Sequence, residues 1–224
     1  MARYGQIIPC NWSHSDCVQF LNQFAPIGYA VAEARNIVVQ AALDGGFEWL
    51  FFIDHDVILP PDTFVKINQY MIDAKYPVVC GLYFAKCNPP EPLIYRGRGN
   101  GHFKNFQLGH PVWVDGIPMG CTLIHRSVLE AMAKDAPTYM AAGEHKCKQV
   151  FDTPEHVFID PEKRSVNTVT GTEDLAWCNR VIAGKYLHKA GWPAVAKKKY
   201  PFLCDTSIFC RHITMDGQVY PIEA

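Results

Sequence analysis

At 224 residues, with 49% hydrophobic and 19% charged content, the chain is long enough to bury one sizeable globular core. Its formal net charge of -1 creates no global pull toward nucleic acid or an anionic membrane, so any polyanion has to be met locally. No apolar run approaches the roughly 18 residues of a membrane-spanning helix. The opening MARYGQIIPCNW also lacks a charged-then-apolar signal pattern, which predicts a cytoplasmic chain with no transmembrane segment. The nine cysteines are an odd number without a CxxC pair, and Cys80, Cys121 and Cys178 fall in apolar segments. They read as reduced core thiols rather than a metal cluster.

In chain order, GQIIPCNW predicts a short buried strand that stops at Pro9. Residues 28–46 predict a helix with Val31, Ala34, Val38 and Ala41 on its apolar stripe and Gly45-Gly46 as its stop. WLFFI, from Trp49 to Ile53, predicts a buried strand, and Pro60-Pro61-Asp62 open a second helix with Phe64, Ile67, Met71 and Ala74 at helical spacing. PVVCGLYFA predicts another buried strand. Residues 86–106 are rich in Pro and Gly and read as a loop or an exposed hairpin, with Arg96 and Arg98 at its tip. Strands are expected at 112–114 and 121–124, followed by a helix whose Ser127 and Glu130 match a capping box. Residues 136–170 show no period and read as loop.

A helix then starts at Thr172, with Glu173 and Asp174 in its first turn, and runs to Gly191 and Pro193. Lys197, Lys198 and Lys199 read as a solvated charge run, and Trp113 and Trp177 as core. The tail predicts one or two short strands carrying His212. The strand-helix-strand alternation of residues 28–85 predicts an α/β fold with a mostly parallel central sheet flanked by helices, in a single domain. Ligands of such sheets bind beyond the carboxyl ends of the strands.

The chemistry centres on FIDHDV. Asp54 and Asp56, two apart on an extended chain, face one way, and a pair of carboxylates that close needs a cation. Hard carboxylate oxygens suit Mg2+ or Mn2+, although a solvated turn would read the same way.

In this order, EARN, FIDHDVILPPD, GIPMGCTLIHRSVLE, GTEDLAWCNRV and FCRHI resemble the GT-A glycosyltransferases, especially those of family 2 type, from about Ile7 to His212. The resemblance implies a GT-A (Rossmann-like) single domain over residues 1–224. About 1–110 would form the nucleotide-binding half and about 111–224 the acceptor and catalytic half. It implies Asp54, Asp56 and His212 as metal ligands for Mn2+ or Mg2+, and Asp174, with Glu173 beside it, as the catalytic carboxylate of an inverting transfer. It further implies Pro9, Asn11, Arg35 and Asp54 at the nucleotide, and Met119 and Gly120 at the donor sugar.

The implied partners are a UDP- or GDP-sugar donor and a glycan or small-molecule acceptor, without nucleic acid; peripheral membrane contact is left open. QxxRW, the mark of processive members, is absent. A retaining transferase, a sugar nucleotidyltransferase and a non-catalytic carbohydrate-binding relative stay open as alternatives.

Overall fold

The computed structural model describes residues 10–14, 17–21, 25–97, 101–160 and 165–221, with side chains at 25–97, 101–155 and 171–221. Pro9 therefore lies outside the described residues, as does the segment preceding it. Asn11 lies in strand β1 (Cys10–His14), which pairs antiparallel with β2 (Cys17–Leu21).

Helix α1 (Val31–Asp44) leads into strand β3 (Trp49–Ile53), the two-residue β4 (Val57–Ile58), helix α2 (Thr63–Asp73) and strand β5 (Val78–Leu82). Then come β6 (Pro111–Val114), β7 (Cys121–His125) and helix α3 (Arg126–Asp135). Two hairpins follow, β8 (Thr138–Ala141) with β9 (His145–Lys148) and β10 (Glu155–Asp160) with β11 (Ser165–Thr170). Helices α4 (Glu173–Ala183), α5 (Tyr186–Lys189) and α6 (Pro193–Ala196) precede β12 (Phe202–Phe209), β13 (Arg211–Ile213) and β14 (Val219–Tyr220).

The expectation of a mostly parallel central sheet is overturned. The main sheet has the order β3-β7-β5-β12-β6, and β5–β12 is its one parallel pair. The reason is an insertion. β3 and β5 point the same way, as their helical crossover requires, but β7 enters between them and runs against both. Strand alternation with helices reveals direction and not adjacency, so a later strand can separate two parallel ones.

Both faces of this sheet are covered. Along β3, Leu50 and Phe52 turn to one core and Trp49 and Phe51 to the other, the period of two expected of a strand. The larger core is closed by α1, α3, α4, α5 and α6 around Phe151, Trp177 and Phe202, and the smaller by α2 through Ile67.

Other local expectations also need correcting. The buried stripe of α1 runs through Arg35, Asn36, Val39 and Ala42, while Val31 is 55% exposed. On α2, Ile67 is buried but Phe64 is exposed. No capping box forms on α3: the His125 side chain accepts from the Ser127 amide, and Glu130 is drawn to Arg126 at 2.6 Å. Residues 138–141 and 145–148, and 155–160 and 165–170, are paired strands rather than loop. The first pair turns through Ala142 and Gly143, both at positive φ, a turn geometry that matches strand twist. The helix predicted from Thr172 to Gly191 is broken at Gly184, and Pro193 starts α6 instead of ending a helix.

Candidate active site

The carboxyl end of β3 delivers Asp54 toward the buried face of α1, where Arg35 waits. An arginine only 7% exposed requires anionic partners for its guanidinium, and it has two. Nη1 and Nη2 donate to the two oxygens of Asp54 at 3.1 and 3.2 Å, and Nε donates to Glu173 Oε1 at 3.0 Å. Burial alone would lower the pKa of Arg35, but the Asp54 and Glu173 carboxylates outweigh it and hold the guanidinium charged. The cation also lies over the Phe52 ring, 5.4 Å from its centroid. Asp54 and the first turn of α4 are thereby brought to one place.

Next to Glu173 sits Asp174. Burial pushes its carboxyl above the ordinary aspartate value, and the Glu173 charge adds to this, against hydrogen bonds from Thr172 and the Leu175 amide. Thr172 is the N-cap residue by backbone geometry, yet its side chain caps no backbone amide. Tyr95 is pushed up to about 12, by burial first and then by Asp174.

Gly120, in the turn entering β7, packs against this centre. Its carbonyl accepts from the Asp54 amide at 3.1 Å, and its amide donates to the Tyr83 hydroxyl at 2.9 Å. A Cβ here would lie 2.6 Å from Tyr83 Oη and 2.9 Å from Asp54 Oδ2. The glycine is thus required by the close approach of this chain's own side chains. Met119 is fully buried in the larger core.

Asp56 lies apart from the Arg35 cluster. It is salt-bridged to Lys86, which follows β5, with Nζ 2.6 Å from Oδ2. Burial pushes Asp56 up, but the Lys86 hydrogen bond and charge, with His212 and His55, hold it below the ordinary value. β13 runs alongside β4, so that His212 pairs with Val57 and the Ile213 amide donates to the Asp56 carbonyl. His212 Nδ1 lies 2.7 Å from the Phe84 carbonyl, which can only accept, so Nδ1 carries a hydrogen and Nε2 is the ring nitrogen not engaged by that carbonyl.

This donor set tests the implied metal. Among the described residues no three His, Cys, Asp or Glu side chains are gathered to hold an ion. Asp56 and His212, the latter oriented by a backbone carbonyl as ligating histidines are, fit a two-ligand site of the kind Mg2+ or Mn2+ completes with water and phosphate. Both Asp54 oxygens accept from Arg35, so an ion there would share this carboxylate with the guanidinium.

Lys86, Tyr83 and Tyr95 escaped the sequence reading. Lys86 carried a usable signal: it follows the carboxyl end of a buried strand, at the same edge as Asp56.

No family model matches the chain, and no curated protein matches it. Among solved structures, the crystal structure of A197 from STIV is similar to it at 19% identity, over 85% of this chain and 74% of that one, with a TM-score of 0.49. A likeness of that size carries no argument about this chain. Among the described residues, no helix is long and apolar enough to cross a membrane.

Proposed function

We propose that the chain is a glycosyltransferase that moves a sugar from a UDP- or GDP-sugar to a glycan or small-molecule acceptor, with inversion at the anomeric carbon. The observation that carries this reading is the Arg35 bridge from Asp54 to Glu173, which ties the DHD strand end to the TED helix start 138 residues after Arg35. Those are two of the motifs that resemble family 2 glycosyltransferases.

The bridge also divides the work between the adjacent carboxylates. Glu173 Oε1 accepts from Arg35, which supports Asp174 as the general base. Its raised affinity for a proton suits a group that must take one from an acceptor hydroxyl as the new glycosidic bond forms. Asp56 and His212 would hold Mn2+ or Mg2+, which when bound supplies positive charge to the diphosphate leaving group. Lys86, beside Asp56, offers a second positive charge at the same edge. In this reading the protein works in the cytoplasm, where buried thiols such as Cys80, Cys121 and Cys204 stay reduced.

A panel of UDP- and GDP-sugars, incubated with the protein and Mn2+, tests the reading. Release of free sugar and nucleoside diphosphate from one donor is expected. No turnover of any donor with either metal contradicts it.

A further inference from the structure

The polar end of α4 serves the candidate active site; its other end opens onto something different. Val181, Ile182, Leu187, Ala196 and Pro201 line the floor of a cleft of about 320 Å³, and Lys185, His188, Lys197 and Lys198 line the rest of it. At 1.5 Å of rise per residue, Val181 is roughly 11 Å along the helix from Asp174. The cleft is therefore a separate feature.

Its charge is one-sided. Residues 184–201 contain five lysines and one histidine without a single acidic residue, in a chain whose net charge is only -1. Lys189 is neutralised by Asp135 of the neighbouring α3 at 2.7 Å. Lys185, Lys197, Lys198 and Lys199 remain exposed. The ammonium groups of Lys198 and Lys199 lie over the Trp113 and Tyr200 rings, at 4.2 and 5.3 Å from their centroids, cation–π contacts that leave the charge in place.

Such a combination selects among polyanions. Three uncompensated lysines at the cleft, with Lys199 next to them in the chain, match an anionic surface. Lysine rather than arginine suits headgroups met as point charges, and residues 184–201 hold no arginine. Nucleic acid would call instead for fully exposed rings to stack on, whereas Tyr186 is buried and Trp192 and Tyr200 are half-buried.

We propose that this cleft docks the protein on an anionic lipid surface, with Lys185, Lys197 and Lys198 facing the headgroups. The proposal stands independently of glycosyl transfer, since no residue of the candidate active site takes part.

The test is co-sedimentation of the full chain with phosphatidylcholine vesicles, with and without phosphatidylserine. Binding is expected only with phosphatidylserine and should fall steeply as salt is raised. K185E/K197E should weaken it at least tenfold, since each lysine near such a surface contributes about fivefold. K75E/K146E, with the same change of net charge elsewhere, should stay within about twofold of the parent. Circular dichroism of both variants checks folding. Equal binding to neutral vesicles overturns the proposal, as does an equal loss in K75E/K146E. So does displacement by inorganic phosphate, which would make the cleft a free-anion site, or tighter binding to single-stranded DNA than to vesicles.

Discussion

Arg35 and Asp54 meet fork to fork: two parallel N–H···O bonds of 3.1 and 3.2 Å join a guanidinium on α1 to the carboxylate that ends β3. The third donor, Nε, is given to Glu173 at 3.0 Å. The Arg35 side chain is 8% exposed, against 31% for Asp54 and 15% for Glu173. One buried cation thus orients both carboxylates, and its planar fork is the part a lysine cannot reproduce.

Arg35→Met leaves two partly buried carboxylates without their cation, and the expected loss is about 3–5 kcal/mol of stability. Urea denaturation measures it. Arg35→Lys should keep the fold with a smaller loss and still lower turnover, because charge is retained and the fork is not. If Arg35→Met unfolds at the parent's urea midpoint, the bridge does not hold these elements together.

Asp174→Asn should cut turnover by about 10² to 10⁴ while the fold is kept. The sign of its effect on stability follows from its raised pKa. Between the ordinary aspartate value and the raised one, the folded state keeps a proton that the unfolded state has lost. Stability therefore falls as pH rises through that window and stays lower above it. Asn removes this penalty, so the variant should melt at the parent's temperature or higher at neutral pH. The ascending limb of the parent's activity against pH should be absent from any residual activity of the variant.

Gly120→Ala forces a methyl group against Tyr83 Oη and Asp54 Oδ2, at 2.6 and 2.9 Å. Overpacking of this kind costs about 1–3 kcal/mol. Thermal melting should show the loss, and turnover should fall further than stability alone explains because Asp54 is moved off Arg35. A variant with the parent's melting temperature would mean that the turn relaxes freely.

Mn2+ titration by calorimetry separates the two aspartates. Asp56→Asn should abolish binding and His212→Ala should weaken it at least about tenfold, by loss of a ligand. Asp54→Asn should lower stability with little change in metal affinity, since Asp54 is held by Arg35. Lys86→Met should tighten Mn2+ binding, because the ammonium 2.6 Å from Asp56 competes for the same carboxylate.

Much of the candidate site stands out in the sequence because its parts are local signals. An apolar run ending in DHD, a TED at a helix start and a histidine in a late strand each announce themselves within a few residues. Lys86 and Tyr83 did not, since their importance arises only when β5 ends beside the turn at Gly120. The packing of Tyr83 and Asp54 against Gly120 is likewise not written in its neighbourhood, since the three come from separate segments. The sheet was misread for a related reason. Helix-strand alternation is written along the chain, but the insertion of β7 between β3 and β5 depends on contacts made by residues some 40 or more positions later. The hairpins of 136–170 were hidden by their polar composition, which breaks the alternation that exposes a half-buried strand.

The most direct measurement compares donor turnover by the parent and by Asp174→Asn, following the released sugar by NMR with the donor chosen from the panel and Mn2+ present. The account predicts that both proteins bind the donor with similar affinity, that the parent releases nucleoside diphosphate and sugar of inverted anomeric configuration, and that the variant releases almost none. Turnover by Asp174→Asn at the parent's rate, or release with retained configuration, would contradict the assignment of Asp174 as the base of an inverting transfer.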